Sequence, residues 1–258
     1  MSSQFKKFKA LHQADSLFVL PNVWNAKSAM VFQEKQFQAV GTSSAAVASS
    51  LGYEDGEQMQ FSDYLFVIGR VLASVKIPVT VDLETGYGRT NDEIAANVVK
   101  LADMGVAGIN IEDSVISGSK RSLQKADTFA KTVEAIKNAL EKRKTGLFVN
   151  IRCDTYILDV KNKQQETAAR LEIYGNTGAD GIFLPCISHA QDITEALNNT
   201  SLPLNVMCIP GLPCLDTLNG LGVKRASMGP FLFNKVYTQA GELSQAVLAD
   251  KSFAPLFS

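Results

Sequence analysis

The feature that most constrains this chain is a repeated alternation: a short apolar run, a loop, then a helical pattern. Runs with strand composition are Leu17 to Val23, Ala39 to Ser43, Val79 to Leu83, Gly108 to Glu112, Leu147 to Arg152, Gly181 to Pro185, Leu204 to Ile209 and Arg225 to Met228. Between them lie the helical segments Phe61 to Val75, Asp92 to Met104, Thr128 to Lys142, Gln164 to Thr177 and Ala190 to Asn198, and Asn234 to Leu248 follows the last run. Met104-Gly105-Val106-Ala107-Gly108 and Gly178-Ala179-Asp180-Gly181 each stop a helix and start a strand at once, the short link of right-handed βαβ units. Eight such units in 258 residues fit a (β/α)8 barrel of the TIM type, an α/β fold whose chemistry sits at the carboxyl ends of its strands. The alternative is a doubly wound open sheet. Its dinucleotide-binding form loses ground because no G-x-G-x-x-G follows the first run. With no Pro-, Gly- or Ser-rich linker to divide it, the chain reads as a single domain over 1–258.

The polar residues at the ends of these runs suggest a site. In Val79-Thr80-Val81-Asp82-Leu83-Glu84-Thr85-Gly86-Tyr87-Gly88, a strand that continued past Asp82 would aim Asp82 and Glu84 to the same face. Two like charges held close repel unless a cation sits between them, and the two glycines would let the backbone pass close to whatever the acids hold. The next run ends in Glu112-Asp113 and the one after it in Arg152-Cys153-Asp154. Any one of these acids is more often a helix cap; their recurrence at equivalent strand ends makes the case. Oxygen ligands in a chain whose only histidines are His12 and His189 indicate a hard ion, Mg2+ or Mn2+, rather than zinc. Arg152 offers a planar fork for a carboxylate or phosphate. The small-residue segment from Gly41 to Gly56 either grips an anionic group through its backbone N–H groups or is a surface loop.

Charge narrows the partner. With 25 Lys and Arg against 26 Asp and Glu, the chain has no footprint of a nucleic-acid or anionic-membrane binder, so a small molecule is expected. No stretch reaches the roughly 20 apolar residues of a membrane span. The lysine-bearing amino terminus lacks a signal-type apolar region, and a cytoplasmic protein is expected. Cys153, Cys186, Cys208 and Cys214 show no C-x-x-C spacing and read as reduced core thiols.

Taken together, these segments resemble the isocitrate lyase and phosphoenolpyruvate mutase superfamily, in its short phosphonomutase-like (carboxyvinyl-carboxyphosphonate phosphorylmutase-like) branch. The likeness runs from about Leu20-Pro21-Asn22 to Gly229-Pro230. It is carried by Ser43-Ser44-Ala45 with Leu51-Gly52-Tyr53-Glu54-Asp55, by Asp82 to Gly88, by Gly108 to Asp113 and by Asn150-Ile151-Arg152-Cys153-Asp154. The resemblance implies a Mg2+-dependent barrel that makes or breaks a C–C or P–C bond beside the oxo group of a small α-oxo acid, through a metal-stabilised enolate. It implies metal ligation by Asp82, with Glu84 and Glu112 direct or through water. It also implies substrate binding by Ser43, Ser44, Ala45 and Arg152, and a role for Asp55 near metal and substrate.

The sequence also departs from that family. The stretch Asp113-Ser114-Val115-Ile116-Ser117-Gly118-Ser119-Lys120-Arg121 carries neither the cysteine of the lyases nor the Lys-Thr-Asn segment of the mutases, and the sixth run ends in Leu184-Pro185 rather than a histidine. Lys120 and Arg121 remain as groups for a phosphonate or second carboxylate, with Lys120 the catalytic candidate. Oxaloacetate decarboxylation or acetylhydrolysis needs fewer groups and stands as the alternative, beside a barrel that binds an oxo acid without turning it over. Trp24, at the end of the first run, either lines the pocket or packs in the core. His189 reads as a surface or capping residue. The apolar tail, Phe231-Leu232-Phe233 through Phe257, packs either on its own barrel or on a neighbour. The resemblance favours the second, a homo-oligomer (dimer or tetramer) that exchanges a C-terminal helix.

Overall fold

In the computed structural model, which describes residues 2–117 and 120–257, the expected barrel is present. Its strands are β1 (Phe18–Leu20), β2 (Asn22–Val23), β3 (Val40–Thr42), β4 (Val79–Asp82), β5 (Gly108–Glu112), β8 (Phe148–Arg152), β9 (Gly181–Leu184), β10 (Leu204–Met207) and β11 (Arg225–Ser227). They form one parallel sheet in the order β1-β11-β10-β9-β8-β5-β4-β3-β2. The first strand is cut in two by Pro21, which has no N–H to give a ladder. Its first half pairs with β11 and its second with β3. Asn22 bridges the resulting seam: its Nδ2 donates to the Thr42 carbonyl (3.0 Å), and its Oδ1 accepts from Met228 N (3.0 Å) and Gly229 N (2.8 Å).

The helices cover the outside for the reason their spacing suggests. In α5 (Asn91–Asp103), Thr90 caps Glu93 N, Asp92 and Glu93 occupy the first turn, and Ile94, Ala95, Val98, Leu101 and Ala102 form the buried stripe. The helix stops where Gly105 turns left-handed (φ 97°), and Ala107 leads straight into β5. Sequence periodicity missed α1 (Ser3–Gln13), α2 (Ala26–Glu34), α3 (Ser44–Ser50) and α9 (Leu215–Leu221). Of these, α1 plugs the amino-terminal end of the barrel with Phe5, Phe8 and His12. His12 stacks on Phe148 with ring centroids 4.0 Å apart, and Phe8 and Phe18 meet it edge-on. Full burial of a phenylalanine such as Phe8 contributes roughly 1.5–3 kcal/mol.

One element was not expected. A hairpin of β6 (Ser114–Ser117) and β7 (Lys120–Leu123) rises directly from the end of β5. The long α10 (Phe231–Asp250) buries only Phe233 and leaves Val236, Tyr237, Leu243 and Leu248 exposed, so packing on its own barrel does not account for its apolar surface. No helix among the described residues is long and apolar enough to cross a membrane. The cysteines are free, but only Cys153 is a core thiol; Cys186 and Cys208 are half-buried and Cys214 is exposed.

Candidate active site

At the carboxyl end of the barrel lies a cleft of about 160 Å³, smaller than the roughly 300–1,000 Å³ of a drug-sized site. Most of its polar lining comes from β3 to β8: Ser43 and Ser44, with Ala45, at the start of α3, then Asp55, Asp82, Asn110 and Arg152; Asn22 and Ser227 add to it across the seam. The Gly41–Gly56 segment is thus not a plain surface loop. Ser43 Oγ caps α3 by accepting from Ala46 N (3.3 Å), and the preceding N–H groups, of Ser44 and Ala45, have no acceptor within the helix.

Asp82 is the best-determined group. Its N–H donates to Thr42 Oγ1 (3.0 Å) and its carbonyl accepts from Tyr64 OH (2.8 Å), which fixes the backbone. Its carboxylate accepts from Ser44 Oγ (2.8 Å) and Asn110 Nδ2 (3.3 Å), both neutral. None of the ion pairs among the described residues involves Asp55, Asp82 or Glu84. Burial, then the charge of Asp82, raises the Asp55 pKa. Burial, then Asp55 and Asp82, pushes Glu84 up to about 8. The crowding anticipated from the sequence is real: Arg121 and Arg152 offset part of it at Asp55, but no side-chain cation among the described residues pairs directly with any of the three.

The acids nevertheless do not converge as one ligand set. No group of three or more His, Cys, Asp or Glu is placed to hold a metal among the described residues. The strand ends at Asp82, and Glu84 turns left-handed (φ 53°), so the two carboxylates do not share a strand face. Glu84 is instead buried, accepting from Glu57 N (2.8 Å) and Tyr87 OH (3.0 Å). Glu57 Oε1 in turn accepts from Thr85 N (3.0 Å) and Tyr87 N (2.8 Å), clamping the loop that carries Asp55 onto the turn after β4. The glycines of that turn approach a helix rather than a ligand: a Cβ on Gly86 (φ 111°) would lie 2.6 Å from Ile94.

Glu112 is likewise engaged. Arg152 Nη1 lies 2.7 Å from its Oε2, and Arg121 Nη1 donates to its Oε1. Burial raises the Glu112 pKa while Arg152 and Arg121 oppose that rise. Arg152 also grips Asp154 with two bonds (2.6 and 3.2 Å), and Arg121 adds Ser114 and Asp154. Burial works against the Arg152 charge, but Glu112 and Asp154 outweigh it and the pKa rises. Asp113 is structural, held by Arg170 (2.9 Å), Tyr174 OH (2.7 Å) and Asp154 N (2.9 Å).

Two expected site residues lie elsewhere. Trp24 is core, edge-on to Phe233 at 5.3 Å and absent from the cleft lining. Lys120 is exposed on β7, outside the lining, while its neighbour Arg121 reaches inward to the carboxylates rather than to a substrate anion. In that segment Gly118 and Ser119 lie outside the described residues. His189 is an exposed N-cap position with no side-chain cap bond.

Sequence reasoning missed the layer beneath the cleft. Arg225, fully buried, donates through Nη2 to Asn110 Oδ1 (2.9 Å) and to Asn205 Oδ1, while Asn150 donates to Asn110 Oδ1 (2.9 Å). Burial lowers the Arg225 pKa to about 9, and Asp82 opposes that fall. This layer orients the Asn110 amide, so that its Nδ2 faces Asp82. The available signal was polar residues interrupting otherwise apolar strands.

Comparison with known proteins gives this geometry a lineage. The family model described as phosphoenolpyruvate phosphomutase matches residues 8–248. The chain belongs to that family. Rv1998c of Mycobacterium tuberculosis is 35% identical over 240 residues, covering 93% of this chain and 88% of its own. Oxaloacetate decarboxylase 1 of Pseudomonas fluorescens is a more distant family relative, 26% identical over 263 residues with 94% and 89% covered. A crystal structure from Burkholderia cenocepacia superposes with a TM-score of 0.89 at 32% identity, covering 95% of this chain and 100% of that one.

Proposed function

We propose that the chain is a Mg2+-dependent enzyme (Mn2+ as the substitute) that makes or breaks a C–C or P–C bond beside the oxo group of a small α-oxo acid. The observation that carries this reading is Asp82: a carboxylate on the cleft wall, fixed by neutral donors, with Asp55 and Glu84 near it and no cationic side chain among the described residues paired directly with any of them. Oxygen donors and uncompensated charge fit a hard divalent ion, and Mg2+ commonly takes one or two carboxylates and keeps several waters. Asp82 would hold it directly, with Asp55 and Glu84 acting through water. When bound, the ion supplies Lewis-acid polarisation of the oxo group, worth several kcal/mol to the reaction.

The protein's own groups do the rest. The N–H groups opening α3 and the Ser43 hydroxyl receive the carboxylate and oxo oxygens, while the Ser44 hydroxyl stays on Asp82. Arg152, locked by Asp154 and Glu112, presents its remaining N–H groups to the substrate anion without rotating. Asp55 is the cleft's second carboxylate and the group to carry a proton to or from the reacting carbon. Lys120 has no part in this reading.

A second reading, oxaloacetate decarboxylase or acetylhydrolase, draws support from the Pseudomonas fluorescens relative. The test common to both is calorimetry of Mg2+ and oxalate on the wild type and Asp82→Ala, alongside a pyruvate-release screen. Metal-linked oxalate binding that Asp82→Ala abolishes together with turnover supports the enzyme. Binding without turnover of any candidate acid supports a non-catalytic barrel, and no metal-linked binding overturns both enzymatic readings.

A further inference from the structure

The cleft changes character with strand order. From β3 to β8 its lining is polar or charged apart from Ala45; beyond Arg152 it is Ile157, Phe183, Pro185, Met207 and Pro230, with Ser227, Gly229 and, at the seam, the hydrogen-bonded Asn22 amide completing that side. Among the described residues, Arg152 is the only cationic side chain in the lining. It is matched with Arg121 against Glu112 and Asp154, two guanidiniums to two carboxylates.

An α-oxo acid bound as proposed above uses its carboxylate and oxo oxygens on the polar side and directs its third substituent toward β9, β10 and the turn after β11. A second carboxylate or a phosphonate there would face an apolar wall bordered by Arg152, whose charge is already matched by Glu112 and Asp154, which opposes binding. An alkyl group would gain the transfer free energy of its buried methylenes, about fourfold in affinity for each. We propose that the site takes an α-oxo monocarboxylic acid whose third substituent is an alkyl group, seated against Phe183 and Met207. This rests on the preceding functional reading and names its substrate class.

The matched pair 4-methyl-2-oxopentanoate and oxaloacetate have the same shape, one ending in an isopropyl group and the other in a carboxylate. Each, with phosphonopyruvate as a third arm, is titrated against oxalate-loaded protein in Mg2+, and displacement is read by calorimetry. The expected result is at least tenfold tighter displacement by 4-methyl-2-oxopentanoate than by either dianion. Ile157→Lys is the companion variant, because position 157 is 39% exposed and a lysine fits there without disturbing the core. It should retain oxalate binding and narrow or reverse the preference; Met207→Lys repeats the test from the opposite strand. Equal or tighter binding of oxaloacetate or phosphonopyruvate to the wild type overturns the inference and leaves the functional reading standing. An unchanged preference in both lysine variants, each still binding oxalate, overturns it as well. Failure of oxalate itself to bind removes the functional reading and this inference with it.

Discussion

His12 provides a quantitative test of how the barrel floor is built. The ring is 2% exposed, its Nδ1 lies 2.9 Å from the Phe8 carbonyl, and its Nε2 has no partner. Burial, reinforced by the charge of Arg225, lowers its pKa from 6.5 to about 3. The folded protein therefore resists a proton that the unfolded chain accepts, and stability falls as pH drops below about 6.5, until the folded pKa is reached. At about 1.4 kcal/mol per unit, this residue costs roughly 2 kcal/mol at pH 5 and about 3 kcal/mol at pH 4 relative to pH 7. Glu84 acts in the opposite sense, its raised pKa favouring the folded state on acidification, so the wild-type slope is a sum. His12→Phe keeps an aromatic ring between Phe8, Phe18 and Phe148 and removes the titration. Urea unfolding of both proteins at pH 7, 5 and 4 should show the wild type losing the extra 2 and 3 kcal/mol. Parallel curves, or a His12 resonance titrating near 6.5 in the folded protein, would refute the argument.

Asn22→Ala removes three buried bonds across the β2 seam, each worth about 0.5–1.5 kcal/mol. A loss of roughly 2–4 kcal/mol is expected by urea unfolding, and under 1 would mean the seam closes without it. The exposed α10 surface predicts a homo-oligomer: light scattering should give a multiple of 27.9 kDa, and Leu243→Glu with Leu248→Glu should lower the mass to the monomer. A wild-type monomer at micromolar concentration removes that expectation.

The barrel was legible because its βα units are locally encoded: Thr90 caps, Ile94 to Ala102 face inward, and Gly105 turns the chain. The short helices were not, since α3 has seven residues and α1 hides its face in three widely spaced aromatics. For the site, Ser43, Ser44, Asp55, Asp82 and Arg152 line one cleft, the first three pointed to by the family resemblance and the last two by strand-end position. Strand-end position failed at Glu84, where a left-handed residue ends the strand's alternation, and at Glu112, whose fate depends on an arginine nine positions further on. The apolar wall was invisible because Ile157, Phe183 and Met207 read as ordinary core until the barrel curves them together.

One amide side chain, Asn22, stands where a neighbouring strand's main chain would otherwise run, and it also forms part of the cleft wall. Elsewhere the cylinder is stitched by backbone ladders that no substitution short of proline can delete. Here closure is written in a replaceable letter, so the mouth's width at this edge is open to change by a single codon while the remaining circumference keeps its shape.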